Sequence, residues 1–204
     1  MDGTFFEDCQ SGSTSVLDAF VFQYLTTEEK AQICQQFQSN IWSRNDQVLW
    51  TGIPRAHAQQ WADSRKMQTL TTAMGPLMNP EHPLCLKSRK NAKGWSKYIK
   101  GASAVFAWHI SRGERVTVLS PPPPDRFHPS GLTNYQEIEE PILKGNLDCS
   151  AVLRIEMVHP TLNVAENFSY QIWPADETDR WTAEFGRLPQ REPSWREVRK
   201  RKAR

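Results

Sequence analysis

The feature that most limits how this chain folds is a change of hydrophobic period partway along it. In the first half apolar residues recur at helical spacing, first Val16, Leu17, Phe20, Val21 and Tyr24, then Ala31, Ile33, Cys34 and Phe37. In the second half the period falls to two, and Arg115-Val116-Thr117-Val118-Leu119 alternates as a strand. Residues 151–158 and 168–173 are further strand candidates, bounded by Pro160 and Pro174. Helices first and strands later predict an α+β chain with a small sheet. With 204 residues there is room for one sizeable domain.

Local signals divide the chain further. Residues 1–13 read as a disordered N-terminus, 14–188 as a single α+β domain, and 189–204 as a basic, disordered tail. Within the domain, 14–40 forms a helical hairpin whose second helix opens on a capping box, Thr26 with Glu29. Val48-Leu49-Trp50 is β-prone and is followed by a turn at Gly52. Pro54 then stands at the first position of a helix carrying Ala56, Ala58, Trp61 and Ala62. Thr69 caps a short helix over 70–77, and 95–108 is helical, broken or closely packed at Gly101. Prolines 121–124 make a stiff extended spacer, and 151–185 is read as the C-terminal strands.

Composition excludes several classes. A formal charge of +2 is too small to argue for nucleic acid, and no sequence-specific nucleic-acid motif is present. No apolar run approaches the roughly 18 residues that span a bilayer, so no membrane role is expected. The acidic start of the chain lacks the basic and apolar regions of a secretory signal. Cys9, Cys34, Cys85 and Cys149 are scattered, which reads as free thiols in a cytoplasmic protein. Arg196, Arg199, Lys200, Arg201, Lys202 and Arg204 would allow nuclear import. Neither the histidines nor the cysteines have metal-ligand spacing, so no metal and no cofactor are expected.

The segments that carry chemistry are Leu49-Trp50-Thr51-Gly52, Met67-Gln68-Thr69-Leu70, Trp95, Val105-Phe106-Ala107-Trp108 with Ser111, and Phe127 with Glu137. In this order they resemble the ADP-ribosyl cyclase/NAD glycohydrolase family over residues 48–142. In that family a Leu-Trp-Ser turn precedes a helix and a Met-x-Thr-Leu stretch. A Val-Phe-Trp block follows, then a phenylalanine at the interval from the catalytic glutamate that Phe127 keeps from Glu137.

The resemblance implies a cyclase-like α+β fold, with an N-terminal helical part packed on a small, mainly parallel or mixed sheet. It also implies a pyridine nucleotide, NAD, as substrate. Glu137 would be the catalytic carboxylate, Trp50 and Trp108 the aromatic walls, and Thr51, Ser111 and Thr133 contacts to phosphate and ribose. Arg112 would add charge, Trp95 would cover the rim, and Glu139 is the first rival to Glu137. Thr71 stands where the family commonly has an acidic residue that helps divide hydrolysis from cyclisation, and so both products stay open.

The chemistry is coherent on physical grounds. Departure of the cationic ring leaves a ribosyl oxocarbenium ion, which a nearby carboxylate stabilises. Aromatic faces hold the ring by stacking and cation–π attraction, worth about 2 kcal/mol when desolvated. The alternatives are an ADP-ribosyltransferase using Glu137 and Glu139, or a degenerate nucleotide-binding protein. A homo-oligomer or an inhibitory partner is compatible with any of these readings.

Overall fold

The computed structural model describes residues 15–39 and 44–188. The disordered ends predicted for 1–13 and 189–204 lie outside the described residues. Ser15 caps α1 (Val16–Phe22) by accepting from Asp18 N. The capping box opens α2 (Thr27–Gln38), with Glu29 N donating to Thr26 Oγ1 at 3.2 Å and Thr26 N to Glu29 Oε2 at 3.0 Å. An ion pair of Lys30 with Asp18 at 2.5 Å joins these two helices. Leu25, between them, is buried against Gly101, where a Cβ atom would stand 2.3 Å from Leu25 Cγ. Gly101 is therefore a point of close packing inside an unbroken helix, α5 (Ala92–Ile110).

Between the hairpin and α5 come β1 (Val48–Trp50), α3 (Arg55–Ser64) and α4 (Leu70–Met74). Pro54 is the cap residue of α3 and not its first helical residue. The helix predicted over 70–77 stops at Met74, because Gly75 takes φ +45 and Pro76 follows, leaving a 3₁₀ turn over Gly75–Met78.

After α5 come β2 (Arg115–Leu119), α6 (Glu140–Leu143), β3 (Arg154–Val158), β4 (Ser169–Trp173) and α7 (Thr178–Phe185). The strands form one mixed sheet in the order β1-β2-β3-β4, with β1, β2 and β3 parallel and β4 antiparallel to β3. The predicted strands begin later than expected, at Arg154 and Ser169. The reading of 151–185 as strands is corrected by α7. Asp176 Oδ1 accepts from Thr178 N at 2.9 Å to start that helix, and Trp181 and Phe185 pack inward together at helical spacing.

Strand alternation splits the core into two layers. Leu49, Val116, Val118, Ile155 and Met157 face α5, α2 and α4 in the larger cluster. Val48, Leu119 and Val158 face α3, where Ala58, Trp61 and Ala62 complete a smaller one. Helices thus cover both faces of the sheet, as parallel strands require.

Just before α6, residues Tyr135–Glu139 wind as a π-helix, in which Glu140 N–H reaches back to Tyr135 O. Pro141 has no N–H to give the preceding turn, and the helical ladder widens there. Tyr135, Ile138 and Glu139 are turned inward and buried, while Glu137 is left half-exposed. An extended segment, which would have set Glu137 and Glu139 on one face, is not what forms.

Candidate functional site

Beyond the carboxyl end of β1 lies a cavity of about 350 Å³. Open α/β sheets place ligands at this end of their parallel strands. The chain leaves β1 through Trp50 and Thr51 and turns at Gly52, whose φ of +68 suits glycine. Thr51 N donates to Leu119 O at 2.9 Å, which ties the turn to the end of β2. Thr51 Oγ1 donates to Thr133 Oγ1 at 3.3 Å, and Thr133 Oγ1 donates to Gln136 Oε1 at 2.9 Å. Both threonines line the cavity.

One face of α5 supplies the opposite wall, with Trp95, Ile99 and Ser103 one helical turn apart. Trp95 is half-buried and stacks on Tyr98, ring centroids 5.4 Å apart. Trp50, also half-buried, lines the same cavity, and Leu70, Thr71 and Met78 add wall from α4 and its 3₁₀ turn. The π-helical segment contributes Tyr135 and Glu139.

Glu139 is only 5% exposed. Burial pushes its carboxyl up to about 7, and hydrogen bonding from Ser103 opposes that rise. The carboxylates on either side in sequence hold lysines, Glu137 with Lys100 at 2.6 Å and Glu140 with Lys144 at 2.7 Å.

The sequence-predicted residues divide accordingly. Trp50, Thr51, Thr71, Trp95, Thr133 and Glu139 line one cavity. Glu137 does not line it, because the π-helical phase turns its side chain toward Lys100. Trp108 is thirteen residues beyond Trp95 on α5, about 20 Å at the helical rise. There it packs under Arg112, whose guanidinium is 4.4 Å from the ring centroid, so neither residue serves as a wall or a charge for this cavity. Ser111 is buried at the same helix end and donates to Trp108 O at 2.8 Å. His109, between Trp108 and the end of α5, is packed against Phe37 in the core, and burial and Arg112 hold its imidazole down to about 3.

Several lining residues were missed: Arg55, Ile99, Ser103, Asn134 and Tyr135. The signal for Ile99 and Ser103 was present as the four-residue step from Trp95. Among the described residues no cluster of His, Cys, Asp and Glu could hold a metal ion, and no helix is long and apolar enough to cross a membrane. The chain matches no family model, no curated protein and no solved structure.

Proposed function

We propose that this protein cleaves the bond between nicotinamide and ribose in NAD. The observation that carries the reading is the meeting of Trp50, Trp95 and Glu139 on one cavity. Two indole faces suit a flat cationic ring, through stacking and cation–π attraction. As the carbon–nitrogen bond breaks, its electron pair neutralises the ring nitrogen and the ribose carbon becomes cationic. Ionised Glu139 stabilises that cation from a site largely closed to water, where a charge acts most strongly. Water then forms the new carbon–oxygen bond and loses a proton, giving ADP-ribose.

Thr51, Thr133 and Asn134 offer hydrogen bonds to the ribose, and Arg55 at the mouth offers a guanidinium to the phosphates. Thr71 lies on the wall, at the position where the resembled family commonly has an acidic residue that helps divide hydrolysis from cyclisation, so ADP-ribose is the product proposed first and cyclic ADP-ribose stays open beside it.

Chromatography of products after incubation with NAD tests the reading. Wild type is expected to release nicotinamide, Glu139→Gln to lose about 100-fold or more in kcat, and Glu137→Gln to stay near wild type. No release by wild type, or undiminished release by Glu139→Gln, sinks the proposal.

A further inference from the structure

A second cavity, of about 410 Å³, opens on the other side of α3. His57, Gln60 and Trp61 line it from that helix, Arg65 from the helix end, and Asn163 and Glu166 from the β3–β4 connection. Arg65 sets its chemistry. The guanidinium lies 4.2 Å from the Trp61 ring centroid. Its N–H groups donate to Ser64 Oγ at 2.9 Å, to Trp61 O at 3.4 Å and to Asn167 Oδ1, with the Glu166 carboxylate 3.7 Å away. Donors committed to protein acceptors make a poor anion clamp. What they leave is a flat cationic plane held rigid against an indole, and such planes stack on nucleobases. The Gln60 and Asn163 amides suit a base edge, and a carboxylate such as Glu166 suits a ribose diol.

Both cavities take residues from the first turn of α3: Arg55 lines the first, and His57, two residues on, lines the second. Trp50 and Trp61, one from each cavity, pack on the same apolar cluster of Val48, Ile53, Ala58, Leu119 and Val158. At about 350 Å³ the first cavity is near the lower limit for ligand pockets, suited to a pyridine ring and its ribose more than to a whole dinucleotide.

We infer that the second cavity is an adenosine subsite. Adenine stacks on the Arg65 plane, and the diphosphate crosses the first turn of α3 to reach the nicotinamide ribose in the first cavity. The inference rests on the NAD-cleaving reading.

Its test compares NAD with nicotinamide mononucleotide, which lacks the adenosine half. Gln60→Trp, at an exposed side chain, fills the second cavity without touching the first, and Arg65→Ala removes the plane. Each is expected to raise KM for NAD by roughly tenfold, the scale of one lost base stack, while kcat/KM for the mononucleotide stays within about twofold. AMP should compete with NAD in wild type and fail to compete in Gln60→Trp. Equal effects on both substrates, or none on either, overturn the subsite. A wild type that cleaves neither nucleotide defeats the NAD reading, and calorimetry with AMP then tests the subsite alone. Binding by wild type and not by Gln60→Trp supports it, and absence of binding by wild type overturns it.

Discussion

Glu137 and Glu139 are separated by a single residue, yet one accepts from Lys100 at 2.6 Å and the other is buried beside Ser103. The interval from Phe127 pointed to Glu137, and residue spacing alone had no means of seeing the helical phase that turns it away. That phase depends on Pro141 and on the packing of Tyr135 against Phe127, stacked at 5.7 Å. Trp50 and Thr51 stand just before the turn read at Gly52, whereas Thr133 was reached through the family resemblance alone. Burial has a stability consequence at Glu139. Its folded-state pKa lies above its unfolded value, so the folded protein favours the protonated acid, and stability falls as pH rises from about 4.5 to about 7. Glu139→Gln should therefore gain roughly 3 kcal/mol over wild type at pH 8 and almost nothing at pH 4, read by urea unfolding at both values. His159 runs the other way. Burial lowers it to about 4, so its contribution is complete above the ordinary imidazole range and is lost as pH falls toward 4. On the NAD-cleaving proposal activity would follow the carboxylate, and kcat/KM should rise with pH through about 7. The kcat profile should shift to lower pH, because a bound cationic ring favours the ionised acid.

Among the elements, the capped helices and β2 were plain in the sequence, whereas α7 and the π-helical turn were not. A helix as short as α7 shows only two inward residues, Trp181 and Phe185, which a search for alternation passes over. The packing of α5 on the hairpin offers a direct check of the close approach at Gly101. Replacing a helical glycine by alanine gains about 1 kcal/mol of propensity, but the new Cβ meets Leu25 Cγ at 2.3 Å, and overpacking costs about 1–3 kcal/mol. Gly101→Ala should therefore be neutral to destabilising by about 2 kcal/mol. Adding Leu25→Ala should recover part of that loss, so that the double variant is about 1 kcal/mol more stable than the two single effects predict when summed. Additive effects would show that the hairpin moves aside without strain.

At the scale of the molecule, the change of hydrophobic period gave the class of fold, but the order of strands rested on long-range pairing that no local pattern reports. β1 and β2 pair in register across the whole of α3, α4 and α5. This pairing brings the turn after β1 and the α5 face to the same end of the sheet as the π-helical segment. On the same proposal, because a ligand there binds the folded chain alone, NAD at 100 times its Kd should stabilise the slowed Glu139→Gln variant by about 2.7 kcal/mol. For a chain of this size that is a rise of roughly 5–11 °C in Tm, measurable by a thermal shift assay. A shift under about 1 °C at that saturation would be incompatible with binding to the folded state.

The hydroxyl contact between Thr51 and Thr133 joins positions 82 residues apart. Closing a loop of that length is slow and comes only when the intervening strands and helices have found their partners. Catalysis would therefore serve as a clock for folding: in a refolding chain, turnover should emerge with the last kinetic phase and never ahead of the recovery of tertiary fluorescence.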